Sequence, residues 1–178
     1  MQKILILGNS GAGKSTLAIK LAKILNFPVY HLDNYLFNPD WTQVSSQTHQ
    51  KNTAFMFESS SWIIEGKTYY TLDRDLDYPD TIIFLDIDLN QCLNNVLKRR
   101  RTESQVGWPK YLKNNTEPAL YYNYFLNAIL RFNPERHKAK LQKVSKVKTV
   151  YWLTSYEMVD NFLQDLENSQ DNLTKYLL

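Results

Sequence analysis

Apolar residues fall along this chain in two rhythms. Five short runs, at residues 3–7, 29–31, 62–64, 81–85 and 149–153, are rich in Ile, Val, Leu or aromatics, and most lack strict alternation. Runs of that kind predict strands of a parallel sheet covered on both faces. Between them the spacing turns helical. Residues 15–25 put Leu17, Leu21 and Leu25 on one stripe, and Pro28 follows its end. Residues 42–59 predict a weaker helix, with Val44, Thr48 and Phe55 roughly in phase. Residues 90–101 carry Leu93, Val96 and Leu97, with Asp88 or Asn90 as the N-cap. Residues 117–132 and 157–166 complete the set, the first through Tyr121, Phe125, Ile129 and Phe132, the second through Val159, Phe162, Leu163 and Leu166. These stripes read as core.

Strand and helix alternate, which predicts an α/β fold around a parallel sheet. The connection between the fourth and fifth strands, about sixty residues, is too long for a plain crossover and predicts extra helices and a flap. No repeat, low-complexity tract or Pro/Gly-rich linker divides the 178 residues, so the expectation is one domain spanning 1–178.

Composition narrows the class. Hydrophobic residues make up 43% and charged residues 22%, so a packed core is expected rather than disorder. The single cysteine, Cys92, excludes an internal disulfide framework and suits a reducing compartment. His31, His49 and His137 lie far apart without metal-ligand spacing, and each is expected to be an ordinary surface or core histidine. No stretch has the length or apolarity of a targeting core or a membrane span, so a soluble cytoplasmic protein is expected.

The chemistry begins at Gly8-Asn9-Ser10-Gly11-Ala12-Gly13-Lys14-Ser15-Thr16, a full match to G-x-x-x-x-G-K-[ST]. It follows a predicted strand and opens a predicted helix, the context in which the motif works. Backbone N–H groups wrap phosphates, and the helix N-terminus adds its dipole. Lys14 reaches the β- and γ-phosphates, and Ser15 offers its hydroxyl to Mg²⁺. The chain has only five glycines, and three of them sit within this loop. A nucleoside triphosphate, ATP or GTP, with Mg²⁺ is the expected ligand.

Three acids close the neighbouring strands: Asp33, Glu65 and Asp86. Ligands of open parallel sheets bind beyond the carboxyl ends of the strands, so the loop and the acids share one edge. Glu65 and Asp86, each ending an apolar strand, are candidate Mg²⁺ carboxylates beside Ser15. Asp33 could take a proton from an acceptor hydroxyl or bind the acceptor. All six arginines follow residue 73. Arg99, Arg100, Arg131 and Arg136 flank the predicted flap, and one or two are expected to close on the moving phosphoryl group while the rest stay solvated. Residues 131–148 hold seven Lys or Arg and one acid, Glu135, either a solvated helix face or a footprint for phosphates, including those of nucleic acid.

These residues resemble a known group. The loop at the start of the chain, Trp62-Ile63-Ile64-Glu65-Gly66 and Val96-Leu97-Lys98-Arg99-Arg100-Arg101 look like the adenylate-kinase-like branch of P-loop kinases. Val29-Tyr30-His31-Leu32-Asp33, Asn38-Pro39-Asp40-Trp41 and residues 81–86 resemble, more closely, the bacterial topology modulation proteins. The resemblance implies a three-layer α/β/α P-loop NTPase fold, a five-stranded parallel sheet of order 2-3-1-4-5, a helical lid within 102–136 and phosphotransferase chemistry. It implies that Glu65 holds Mg²⁺ through water and that Arg99 and Arg100 open the lid. Where an ordinary adenylate kinase follows the third-strand acid with Gly-Phe-Pro-Arg, this chain reads Gly66-Lys67-Thr68-Tyr69, which argues against AMP as acceptor. Lys14-Ser15-Thr16 is more like kinases of nucleosides and small hydroxyl compounds. The expected activity is therefore transfer of the γ-phosphoryl group to a small hydroxyl- or phosphate-bearing acceptor. The alternative is a nucleotide-dependent protein acting on DNA topology or other nucleic acid, against which stand the modest net charge of +3 and the lack of a DNA-reading motif.

Overall fold

The computed structural model describes residues 1–66, 76–101, 119–168 and 172–178. The strands are β1 (Lys3–Gly8), β2 (Val29–His31), β3 (Trp62–Glu65), β4 (Thr81–Leu85) and β5 (Thr149–Leu153). They form one sheet of order β2-β3-β1-β4-β5, and every pairing is parallel. The order implied by the resemblance is the order observed. The helices are α1 (Lys14–Leu25), α2 (Ser46–Thr53), α3 (Leu89–Arg101), α4 (Ala119–Leu130), α5 (Pro134–Val144) and α6 (Tyr156–Glu167), with short 3₁₀ turns at Leu32–Tyr35, Ala54–Phe57 and Asn172–Tyr176.

Strand side chains alternate between two cores. Ile4, Ile6, Ile63, Ile83, Leu85 and Leu153 pack against Leu17 and Leu21 of α1, Cys92 and Val96 of α3, Ile129 of α4 and Phe162 of α6. Leu5, Leu7, Ile64, Ile82, Phe84 and Trp152 face the other way, onto Leu141 of α5 and Met56 and Phe57. With both faces covered, every position of β3 and β4 is buried. That burial explains the near-continuous apolar runs.

Local chemistry sets the helix ends. Gly13 precedes α1 at φ 92, and Asn26 ends it in the left-handed region, where its N–H bonds the Ala22 carbonyl at 2.9 Å. Asp88 caps α3, its carboxylate accepting the Asn90 and Gln91 N–H groups at 2.9 and 3.3 Å. Asn133 caps α5 and Ser155 caps α6.

Two expectations need correction. The helix over residues 42–59 is shorter. Trp41 sits at φ 66, Phe37 and Gln43 form an antiparallel bridge, and Ser45 caps a helix beginning only at Ser46. That helix then tightens into the 3₁₀ turn Ala54–Phe57. Residues 134–144, read as part of a basic stretch that is either a solvated helix face or a phosphate footprint, form the helix α5, which is not wholly solvated because it buries Leu141 on the second face. Of the lid range 102–136, residues 102–118 lie outside the described ones. The rest is α4 and the first turn of α5, and Ile129 is fully buried in the core.

Candidate active site

The loop from Gly8 to Thr16 leaves β1, the central strand, between β3 and β4. Gly8 has φ 144, and a Cβ there would lie 2.5 Å from the Leu85 carbonyl oxygen of β4. At Gly11, φ 82, a Cβ would meet the Cys92 carbonyl at 2.2 Å. Glycine is required at both by conformation and by space. The loop folds back on itself: Ala12 N–H bonds the Asn9 carbonyl at 3.2 Å, and the buried Lys14 Nζ donates to the same carbonyl at 2.9 Å. Asn9 orders the entry, its Oδ1 accepting the Ser10 N–H at 2.8 Å and its Nδ2 donating to the Ile129 carbonyl at 3.1 Å. A lysine tethered to the rim of an N–H-lined loop at a helix N-terminus is a ready anion site.

Glu65, the last residue of β3, reaches this loop. Its Oε1 accepts the Ser15 hydroxyl at 2.9 Å and also bonds His31 Nδ1. His31 ends β2 and stands opposite Glu65 in the parallel register, so both side chains project from one face of the sheet. Burial pushes the Glu65 carboxyl up, but the His31 hydrogen bond, the Lys14 and His31 charges and the Ser15 hydroxyl outweigh it and hold it below its ordinary value. The hydrogen bond to Glu65 raises His31, burial opposes it, and the charges of Glu65 and Asp33 add to the rise.

Oxygen donors from a serine and a carboxylate fit a hard cation such as Mg²⁺, which takes one or two protein oxygens and completes its shell with water and phosphate. Among the described residues no three His, Cys, Asp or Glu side chains gather into an all-protein cage, so a cation held by Ser15 and Glu65 would draw on those other oxygens.

The remaining expected residues divide. Asp33 is exposed in the turn after β2, beside Gly66, where a Cβ would lie 3.0 Å from its Oδ1. It therefore borders the Glu65 end of the site. Asp86 is engaged elsewhere, its Oδ2 accepting Trp152 Nε1 at 3.2 Å on the other side of the sheet. Arg99, Arg131 and Arg136 are exposed, the first on α3 and the others on either side of the α4–α5 junction. The side chain of Arg100 lies outside what the structure describes.

His31 was expected to be ordinary and is instead bonded to the central carboxylate. The available signal was its position: it ends a strand at the same edge as the acids, two residues before Asp33. Asn95 of α3 and Tyr156 of α6 also touch the loop, at the Gly11 carbonyl. Nothing in their spacing announces that contact.

No family model matches the chain. It is 29% identical to a deoxyadenosine kinase of Dictyostelium discoideum, over 74% of this chain and 69% of that protein. Its structure is similar to the shikimate kinase of Acinetobacter baumannii in complex with shikimate, with TM-score 0.56 and 11% identity over 97% of this chain and 96% of that one. It is also similar to a gluconokinase of Sinorhizobium meliloti 1021, with TM-score 0.52 and 14% identity over 97% and 95% of the two chains. The chain has the P-loop kinase fold.

Proposed function

We propose that this chain is a phosphotransferase. It moves the γ-phosphoryl group of Mg-ATP, or of Mg-GTP, to a small acceptor bearing a hydroxyl or a phosphate, nucleoside-like compounds foremost. One observation carries the reading: a buried carboxylate, Glu65, takes the Ser15 hydroxyl and His31 on a single oxygen beside the phosphate loop. A plain strand–turn–helix connection has no use for such a group. Burying an ionised carboxylate costs several kcal/mol unless it is paired.

In this reading Gly8, Asn9, Ser10, Gly11, Ala12 and Gly13 present the backbone that wraps the phosphates, together with Lys14, Ser15 and Thr16 at the head of α1. Lys14 exchanges the Asn9 carbonyl for phosphate oxygens. Ser15 and Glu65 hold Mg²⁺, Glu65 through water, and His31 fixes the Glu65 rotamer. Bound Mg²⁺ supplies charge neutralisation across the phosphates. Asp33, at the rim, accepts the proton of the acceptor hydroxyl. Arg99 and Arg100, with Arg131 or Arg136, bring positive charge to the transferring group. Asp86 is left out of this set because Trp152 already occupies its carboxylate.

The likeness to a deoxyadenosine kinase favours a nucleoside acceptor. The resemblance to topology modulation proteins adds no acceptor. Among the described residues no helix is long and apolar enough to cross a membrane, which suits a small-molecule enzyme of the cytoplasm.

The test is direct. Protein is incubated with γ-labelled ATP or GTP, Mg²⁺ and a panel of nucleosides, nucleoside monophosphates, shikimate and gluconate. Labelled product that appears with one acceptor class and vanishes in Lys14→Ala supports the reading. Absence of product with every acceptor, alongside tight and steeply salt-dependent DNA binding, would replace it with the nucleic-acid alternative.

A further inference from the structure

The phosphate loop is held from outside as well as from within. The Gly11 carbonyl points away from the loop interior. Asn95 Nδ2 of α3 donates to it at 2.9 Å and to the Tyr156 hydroxyl at 2.6 Å. The Tyr156 hydroxyl, from the first turn of α6, donates to the same carbonyl at 3.4 Å. The three groups close a triangle. The Tyr156 ring also lies against Gly13, whose Cβ, if present, would be 3.5 Å from Cε1. Burial pushes the phenol of Tyr156 up, with the nearby Cys92 adding and the Asn95 bond opposing, so it stays a hydroxyl donor through the working pH range.

That carbonyl belongs to the peptide joining Gly11 to Ala12. The other end of the same peptide, the Ala12 N–H, bonds the Asn9 carbonyl, which also receives Lys14 Nζ. A chain of contacts thus runs from Asn95 and Tyr156, through one peptide plane, to the resting place of Lys14. A glycine at φ 82 belongs to the residue type that tolerates peptide flips. A flip here would turn a carbonyl oxygen into the cradle, where it would repel phosphate, and would break the Ala12–Asn9 bond beside Lys14.

We infer that Asn95 and Tyr156 are positioning residues for nucleotide phosphates: a clamp from α3 and α6 that locks the Gly11–Ala12 peptide in its phosphate-receiving orientation. They touch the loop rather than the ligand. The clamp also ties the loop to α3, the helix that runs on to Arg99 and the candidate lid. This inference rests on the proposed nucleotide chemistry.

Asn95→Ala, Asn95→Asp, Tyr156→Phe and the Asn95→Ala/Tyr156→Phe double variant test it. Dissociation constants for Mg-ATP and Mg-ADP are measured by calorimetry, with thermal unfolding in parallel and amide exchange of Ala12 in nucleotide-free protein. Each single variant should weaken ATP and ADP alike by about five- to tenfold. Asn95→Asp, close in shape but without the donor and with a charge against a carbonyl, should be weaker than Asn95→Ala. The double variant should lose less than the product of the singles, because the donors share one acceptor. In turnover the loss should fall on KM for ATP more than on kcat, and Ala12 exchange should quicken. Wild-type protein that binds ATP while all variants bind it equally well, with unchanged Ala12 exchange, overturns the clamp alone. Wild-type protein that binds neither ATP nor GTP overturns the nucleotide reading and the clamp with it.

Discussion

Replacing Glu65 with glutamine keeps the side chain's shape and removes its charge, so the variant isolates what that charge does. In the wild type one oxygen takes the Ser15 hydroxyl at 2.9 Å and His31 Nδ1. Hydrogen bonds to ionised groups are roughly twice as strong as neutral ones, so each loses on the order of 1 kcal/mol and the pair about 2 kcal/mol. The loss stays below the about 3–5 kcal/mol typical of a broken buried ion pair, because glutamine no longer has a charge to desolvate and His31 can shed its proton. The figure depends on pH with a definite sign. His31 titrates above its ordinary 6.5, so its contribution is complete below 6.5 and is lost as pH rises through the raised value. Glu65 titrates below its ordinary 4.5, so its contribution is complete above 4.5 and is lost as pH falls through the lowered value. Both conditions hold between 4.5 and 6.5. Urea unfolding of wild type and E65Q should therefore show the widest gap near about pH 5.5 and a narrower one near about pH 9. In the presence of ATP, Mg²⁺ affinity should fall about 10- to 100-fold. A stability gap that stays flat across that range, or an E65Q protein as stable as wild type near its lower end, would refute the His31–Glu65 pair.

Lys14→Ala should fold normally, since Nζ makes its bond to a loop carbonyl at 2.9 Å, yet lower phosphoryl transfer by about 10²-fold or more; transfer within a factor of about two would remove Lys14 from the mechanism. Gly11→Ala combines a strained φ of 82 with a Cβ 2.2 Å from the Cys92 carbonyl, and should cost about 2–4 kcal/mol in denaturant unfolding; an unchanged midpoint would mean that α3 yields to the loop. Asp80→Ala loses the carboxylate that receives the Gln2 and Lys3 N–H groups at 2.8 and 3.0 Å, worth about 1 kcal/mol near neutrality for so exposed a group. Burial pushes Asp80 up, but the Thr81 hydroxyl and those amides hold it below 3.8, so the difference should be complete above 3.8 and close as pH falls through the lowered value; a gap unchanged in acid would contradict this.

The five strands could be read from the sequence as short apolar runs; cover on both faces accounts for those runs in β3 and β4, whereas β2, half-buried throughout, rested on Val29 and Tyr30. The phosphate loop was legible for a different reason: it is one contiguous segment whose glycines have no substitute. What escaped the sequence was whatever depends on one favourable contact rather than a pattern. Helix α5 buries Leu141 among lysines, so its charge reads before its buried side. The expected helix over 42–59 ignored Trp41, whose positive φ and the Phe37–Gln43 bridge hold the chain out of helix until Ser45. Asn95 and Tyr156 act on Gly11 from 84 and 145 residues away, and no spacing rule spans such distances.

The contrast between Glu65 and Asp86 shows what a strand end leaves undecided. Each acid closes an apolar strand at the same sheet edge, and each side chain must take one of two faces. Glu65 pairs with Ile6 of β1 and with His31 of β2, and it shares the parity of Ile63, whose side chain lies in the core packed on α1. On β4, Gly8 pairs with Leu85, which belongs to that same core, so Asp86 falls on the opposite parity with Phe84. One residue of register therefore sends Glu65 to Ser15 at the head of α1 and Asp86 to Trp152. The same parity selects His31, which residue type alone gave no reason to choose. In a parallel sheet, candidate ligands should accordingly be judged by whether they project toward the helix that the phosphate loop opens, and not only by their place at the carboxyl edge.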